Sequence, residues 1–557
     1  MNGFLVWTRA VYRSRRSILK FLSLFSLCLI LVVSCGTASD QPSSSTNSSN
    51  TAANSGRVTI GTTLKAETLD PADVYEIFPG ILLYNLGDRL YTYEPGTTEL
   101  VPQLATELPD VSDDGLTYTI PLREGVTFHD GTPFNAEAMA FSMQRFMENG
   151  GRPAFLLADQ IESVEVTGEY ELTITLKQPF AAFPSLLAFS GVTPVPPSSY
   201  EVGAGQFRPD TFIGTGPYKL ASFSTDAIKL DVNENYWGEQ PANQGIDIQV
   251  ISSSANLFNT FKTGGLDVAY QTLDPDQIRS LVSEADQGGW QVIEAGTNTI
   301  NYLVLNQRSE PLDDVRVRQA IAALIDRKLI VDRVFQGQAE PLYSLLPNTF
   351  PTYKPVFETE YGDGNADKAR ALLTEAGFSE ANPLTLEIWH SSTSTARSLV
   401  ASTLKASIEQ KLPGLVNVEI NTTESATIFD NLDKGTYPTV LLDWYPDYYD
   451  ADTFITPFLS CDQGSVETGC EAGQTQAGGS FYYSEQANQL VKQQIAEQDE
   501  TKREALFAEL QALTAKDVPY IPLWQNKDYV FARQGLEGVE IQPTQQFLLW
   551  QIEKQPA

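Results

Sequence analysis

Two strand–helix–strand patterns of the same size, set about 170 residues apart, constrain this chain more than any other feature. In the first, Ile246-Asp-Ile-Gln-Val250 alternates apolar and polar residues, and a helix follows with Leu257, Phe258 and Phe261 on one face. Gly264 ends that helix and Leu266-Asp-Val-Ala269 returns as a strand. In the second, Val416-Asn-Val-Glu-Ile420 alternates in the same way, and Ile428, Phe429 and Leu432 take the matching helical positions. Gly435 then ends the helix and Thr439-Val-Leu-Leu442 returns. Each unit is about 25 residues long, enough for the crossover that parallel strands require. A repeated α/β unit predicts two lobes of similar architecture facing each other. At 557 residues there is room for about three to four domain-sized bodies in all.

The additional body is predicted between the first strand and the first unit. Arg57-Val-Thr-Ile-Gly-Thr62 reads as a strand stopped by the turn Leu69-Asp70-Pro71. Beyond it, Tyr118, Ile120 and Leu122 alternate on a strand that Pro121 predicts to be an edge. Asp130-Gly131 is a hairpin turn pair, and Asn135 caps a helix with Met139, Met143 and Phe146 on one face. Leu172, Ile174 and Leu176 alternate again, so residues 89–209 read as an inserted α+β subdomain. Between the two units, Ile300–Asn306 is a strand, and helices follow near 315–325 and 366–377.

The N-terminus states an address. Basic residues up to Lys20 precede an apolar run, Phe21 to Val33, that reaches only about 20 Å as a helix, short of a bilayer span. Residues 1–34 therefore read as a secretory signal. Val32-Val33-Ser34-Cys35 resembles the bacterial lipobox, which implies cleavage before Cys35 and lipid on that cysteine. The competing reading is an ordinary signal peptide followed by an incidental cysteine. Residues 36–56 are rich in Ser, Thr and Asn without apolar periodicity and form a tether, giving an extracytoplasmic, membrane-anchored protein. Cys28 is discarded with the signal. Cys461 and Cys470, nine positions apart, are expected to form a disulfide in an oxidising compartment.

Composition removes several function classes. The first 35 residues hold five basic groups and no acid, so the remainder carries 32 Lys+Arg against 70 Asp+Glu, a net of −38. Such a surface repels phosphate backbones and excludes nucleic acid as a partner. His129 and His390 are the only histidines, so a Ser-His-Asp or Cys-His site would have to use one of them. His129 sits in Phe128-His-Asp-Gly131, where a hairpin role is expected, whereas His390 ends strand Leu384–Trp389, where a ligand contact is conceivable. Gly-x-Ser-x-Gly, His-Glu-x-x-His and a Gly-Lys phosphate loop are all missing. Asp363-Gly-Asn365-Ala-Asp367 starts like a calcium loop, but Lys368 and Thr374 occupy its essential glycine and glutamate positions. No enzyme activity, metal or other cofactor is expected.

What remains is a binding constellation. After strand Thr439–Leu442 comes Asp443-Trp-Tyr-Pro-Asp447-Tyr-Tyr-Asp450-Ala-Asp-Thr-Phe454, acids and aromatics at the carboxyl end of an α/β strand, where ligands sit in such sheets. This run resembles the ligand segment of the family 5 solute-binding proteins, the peptide-binding components of ABC importers. Further matches occur in order along the chain: Leu116–Ile120 with Phe128-His-Asp-Gly131, Gly214-Thr-Gly-Pro-Tyr-Lys-Leu220, and Asn233-Glu-Asn-Tyr-Trp-Gly238. Arg316-Val-Arg-Gln-Ala-Ile321 with Asp326-Arg327, and Leu372-Leu-Thr-Glu-Ala-Gly377, complete the series.

The resemblance implies an α/β, two-lobed periplasmic-binding-protein fold with a type II-like cleft and a subdomain inserted in the first lobe. The divisions would be lobe I at 57–88, 210–298 and 525–557, the insert at 89–209, and lobe II at 299–524. By resemblance Asp447 pairs with a peptide's α-ammonium, beside Trp444 and Tyr445, a charge-assisted contact of about 1.5–3 kcal/mol. His390 and Arg397 are candidates for further ligand contact, Arg397 for the ligand carboxylate, and Tyr75 and Phe78 belong to a stretch that lines the cleft in relatives. The Cys461–Cys470 pair resembles that of the dipeptide-binding branch. The implied partners are a short peptide and ABC permease subunits, with the protein itself a monomer. An oligosaccharide stacked on Trp444, Tyr445 and Tyr448, or a nickel chelate, are the alternatives on the same fold. A secreted carboxylate-dependent hydrolase is the alternative outside it.

Overall fold

The computed structural model describes residues 56–555. The signal segment, the lipid-acceptor Cys35 and all but the end of the tether lie outside the described residues.

Two long antiparallel strands, Trp290–Leu305 and Tyr520–Arg533, organise everything else. Trp290–Gly296 pairs with Lys527–Arg533, the ladder breaks between Gly296 and Ile300, and Ile300–Val304 then pairs with Tyr520–Gln525. Each strand thus serves two halves of one eleven-stranded sheet. On one side Val268–Tyr270 pairs with the far end of Tyr520–Arg533. Val58–Thr62, Ile246–Val250, Ala227–Val232 and Tyr218–Phe223 follow in order. On the other side Thr439–Trp444 pairs with Trp290–Leu305, followed by Leu384–Ser391 and Val416–Thr423.

The repeat read in the sequence is present, with one feature that spacing did not reveal. In each unit the two strands are not neighbours, because a third strand runs parallel between them. Val58–Thr62 lies between Ile246–Val250 and Val268–Tyr270, and Leu384–Ser391 lies between Val416–Thr423 and Thr439–Trp444. Parallel central strands need cover on both faces, and both halves have it. Val58, Ile60, Leu82 and Leu86 belong to a core on one face of the first half, and Leu257, Phe261 and Leu281 to a core on the other. The second half is layered in the same way. In the second repeat helix, Ser425–Leu432, Ile428 and Leu432 are buried but Phe429 stays 59% exposed.

The insert has its own core around Tyr118, Ile120, Met139, Met143, Phe146, Leu172 and Ile174. Its antiparallel sheet runs Asp110–Val111, Thr117–Pro121, Glu171–Leu176, Ile161–Gly168. The strand with Pro121 is therefore interior, not an edge. Proline is accommodated because it is the last residue, beyond the reach of the two-residue neighbour, and its carbonyl accepts from Thr106 N–H at 3.0 Å. The predicted hairpin holds His129 as a clasp. Gly214 N–H donates to Nδ1 at 3.2 Å, the Gly216 carbonyl lies 3.2 Å from Nε2, and burial pushes the imidazole pKa down to about 4.

Two motif segments and Gln103 converge on one buried carboxylate. Asp88 accepts from Thr215 Oγ1 (2.8 Å), Gln103 Nε2 (2.9 Å), Tyr236 Oη (3.0 Å) and Trp237 Nε1 (2.9 Å). Gly214-Thr-Gly-Pro and Asn-Tyr-Trp-Gly238 are thus tied to the end of helix Ile77–Leu86. A Cβ on Gly216 would stand 2.5 Å from the Leu86 carbonyl carbon, so only glycine allows this approach.

Candidate functional site

Strand Thr439–Trp444 leaves the sheet of the second half, and the segment that follows spreads its four acids into four environments. Asp443 pairs with Arg397. Asp450 holds the Arg503 guanidinium at both oxygens, 2.7 Å each, and accepts from Asp452 N–H at 2.8 Å to start the short helix Ala451–Phe454. Asp452 is buried and accepts from Tyr448 Oη at 2.7 Å and from Thr456 and Gln494.

Asp447 differs from all three. Among the described residues it has no cation and, unlike Asp452 with its three donors, a single side-chain hydrogen-bond partner, Tyr75 of the opposite half, whose hydroxyl donates at 2.6 Å. Burial holds the Asp447 carboxyl above its usual range, and the Tyr75 bond offsets part of that rise. Tyr75 in turn is kept protonated by burial and by the adjacent Asp447 charge, so it acts as the donor. Around this bond lies a cavity of about 120 Å³. Its walls are Tyr75 and the start of helix Ile77–Leu86, Ser185–Ser190 of the insert, Asn298 at the ladder break, Tyr445–Tyr449, and Thr544–Gln546. A desolvated carboxylate in a cleft with room beside it is suited to a ligand ammonium.

The sequence candidates distribute unevenly. Tyr75, Tyr445 and Asp447 line the cavity. Trp444 lies just before it, its ring edge-on to Phe458 at 5.8 Å, with Nε1 buried and without a hydrogen-bond partner. Phe78 is 5% exposed and packs in the core of the first half. His390 is 2% exposed, with Nδ1 2.9 Å from the Ser391 carbonyl. Arg397 is occupied by Asp443. The structure does not bring these last three to the cavity. Cys461 and Cys470 form a disulfide, with Cα atoms 5.7 Å apart.

Most aromatic faces of the segment are in use. Tyr449 stacks on Phe350 at 4.3 Å and Tyr448 meets Phe180 of the insert edge-on at 5.9 Å. Tyr445, 37% exposed, presents its ring to the cavity. Asn298, Glu76 and Gln545 also line it and were not singled out in the sequence. Only Asn298 carried a signal, the polar Thr297-Asn-Thr interrupting a strand; Asn298 Oδ1 accepts from Thr349 Oγ1 at 2.7 Å and its amide donates to the Pro543 carbonyl at 3.2 Å. Among the described residues, no group of three or more His, Cys, Asp or Glu could hold a metal ion, and no helix is long and apolar enough to cross a membrane.

Two similar α/β halves sharing a pair of crossing strands, with a cavity where they meet, define a two-lobed periplasmic-binding-protein fold. The model of the bacterial extracellular solute-binding proteins, family 5 middle, matches residues 99–465, and the chain belongs to that family. It is 28% identical over 491 residues to di/tripeptide-binding protein 2 of Pseudomonas aeruginosa (strain UCBPP-PA14), covering 83% of this chain and 87% of that protein. The solved structure of HbpA2 from Haemophilus parasuis superposes with a TM-score of 0.78 at 22% identity, covering 90% of this chain and 100% of that one. The periplasmic binding protein DppA from Helicobacter pylori, solved with the peptide STSA, gives 0.69 at 23% identity, covering 90% and 98%.

Proposed function

We propose that this protein captures short peptides between its lobes outside the cytoplasm and delivers them to the permease of an ABC importer. It acts as a monomer tethered through lipid on Cys35 and carries out no covalent chemistry. The lobe divisions we assign, at 298/299 and 524/525, lie near the break in the long-strand ladder, where Gly296 pairs with Lys527 and Ile300 with Gln525. The similarity to a di/tripeptide-binding protein and to a peptide-bound DppA supports the ligand class. The single observation that carries the reading is Asp447, a desolvated carboxylate without a cation, bonded across the cleft to Tyr75. An α-ammonium is the group every peptide offers such a site, whatever its side chains.

A ligand carboxylate has no basic residue waiting in this cavity. The packing of Trp444, Tyr448 and Tyr449 against other rings of the protein counts against an oligosaccharide stacked on them. Native mass spectrometry of the chain from about Arg57, purified without refolding, tests the proposal. Co-purifying di- to pentapeptide masses that vanish in Asp447→Ala are the expected result. Sugar masses, or peptides unaffected by Asp447→Ala, would overturn it.

A further inference from the structure

Among the described residues, thirteen buried side-chain nitrogen and oxygen atoms have no hydrogen-bond partner. Two of them, Glu76 Oε2 and Tyr93 Oη, belong to residues of the Asp447 cavity wall. Glu76 is already neutralised, since its other oxygen pairs with Arg152. Tyr93 has no such arrangement. It ends strand Tyr91–Tyr93, which pairs with Leu100–Pro102 as a hairpin of the insert, and it is 8% exposed. Its ring stands edge-on, at 5.7 Å, to Tyr449 of the segment that carries Asp447. Ser185, on the same wall, acts on the phenol, but no hydrogen bond of normal length and angle joins the two.

The Tyr93 hydroxyl is surplus to packing. A phenylalanine would place the same ring against Tyr449 and in the core of the insert. Tyr91 and Tyr520 also carry unpartnered hydroxyls, but neither lines the cavity. Burial keeps the Tyr93 phenol protonated, so it is available as a donor. In an empty cavity water meets that need. A ligand that fills the cavity expels the water, and the hydroxyl must then find an acceptor on the ligand or be left without one. The rest of the wall decides the kind of acceptor. It holds the Asp447 and Glu76 carboxylates and no Lys, Arg or His. A ligand carboxylate brought here would be desolvated beside two acids with no cation, whereas an amide carbonyl carries no charge to repel.

We propose that Tyr93 is a specificity-determining residue of the cleft, its hydroxyl donating to a main-chain amide carbonyl of the bound peptide. Asp447 takes the α-ammonium, Tyr93 takes a neutral carbonyl, and the terminal carboxylate stays outside this cavity. The ligand class is then peptides with a free amino end whose carboxyl end is not read here. This inference rests on the peptide reading above.

Titration calorimetry at pH 7.5 tests it with three kinds of probe: tetra-alanine, its C-terminal amide, and tetra-alanines with a trans-alkene in place of each amide bond in turn. In the wild type, one alkene replacement should weaken binding about tenfold, a factor worth about 1.4 kcal/mol. Tyr93→Phe should weaken tetra-alanine and its amide by that same factor, and the sensitive alkene peptide should bind both proteins within about twofold. Tyr91→Phe, which removes an unpartnered hydroxyl away from the cavity, should leave every affinity unchanged. Affinities in Tyr93→Phe equal to the wild type would overturn the inference and leave the peptide reading standing. So would an alkene penalty that persists at every sensitive bond in Tyr93→Phe. A preference for the free acid over the amide that disappears in Tyr93→Phe would do the same, because the hydroxyl would then serve a carboxylate. Tyr93→Phe should melt no lower than the wild type, and a lower melting temperature would give the hydroxyl a partner within the fold and sink the inference. Failure of the wild type to bind any of the peptides would remove both readings.

Discussion

The Tyr75 hydroxyl and the Asp447 carboxylate are 2.6 Å apart, and this hydrogen bond joins the two lobes beside the cavity that both residues line. It gives the desolvated Asp447 a donor within the cleft. Tyr75→Phe removes the donor without changing the ring. Because Tyr75 is 39% exposed, the loss should be about 1 kcal/mol, shifting an open–closed equilibrium roughly fivefold toward open. Small-angle scattering should show a larger radius of gyration for ligand-free Tyr75→Phe than for the wild type. Identical curves would mean that this bond does not hold the lobes together.

Asp528 makes stability depend on pH. Its folded carboxyl sits at about 6 against an ordinary 3.8, so between those values the folded chain binds a proton that the unfolded chain has lost. Its contribution to stability is therefore best below about pH 4 and falls as pH rises through 6, by about 3 kcal/mol at most. Asp528→Asn lacks this penalty. Urea unfolding should show the variant more stable than wild type at pH 7.5 by up to that amount, with the gap closing at pH 4.

The pair Asp70–Arg145 ties the turn before Tyr75 to the inserted subdomain. Both guanidinium nitrogens lie 2.6 Å from the carboxylate, and the side chains are 0% and 2% exposed. Arg145→Met leaves a buried carboxylate with only the backbone N–H donors of Ala72 and Arg208. The expected loss is about 3–5 kcal/mol in denaturant unfolding, and Asp70→Asn added to it should restore part.

Gly216→Ala tests the joint between the Gly214-Thr-Gly-Pro turn and helix Ile77–Leu86. The new methyl would meet Leu86 and Gly87 backbone atoms at 2.5–2.6 Å, so backbone must move. Destabilisation of about 1–3 kcal/mol is expected, with weaker ligand binding because the same helix follows Tyr75. An unchanged melting temperature would show that the joint yields freely.

Much of the fold was legible because periodicity reports which faces are buried. The alternation in Ile246–Val250 and Val416–Ile420 and the helical spacing of Leu257 and Phe261 are local properties, and they became the two matching halves. Pro121 misled, because edge or interior depends on a neighbouring strand whose length no residue near Pro121 encodes. His390 and Arg397 illustrate a different limit. Both lie at strand or helix ends where ligand contact is plausible, yet Arg397 is taken by Asp443 and His390 points into packed protein, partners set by pairing across the sheet.

The sequence by itself determined the repeated α/β halves, the inserted subdomain and the acidic–aromatic segment at Asp443–Phe454, since each is written as hydrophobic period, cap or composition over a few dozen residues. Which of the four acids in that segment stands free in the cleft was decided only by the tertiary structure. Arg503, Arg397 and Gln494 neutralise or bind three of them from distant positions, while Tyr75 reaches Asp447 from 372 residues away. A carboxylate's role depends on the charge and water around it, and in a chain this long those are supplied by residues that only folding brings near.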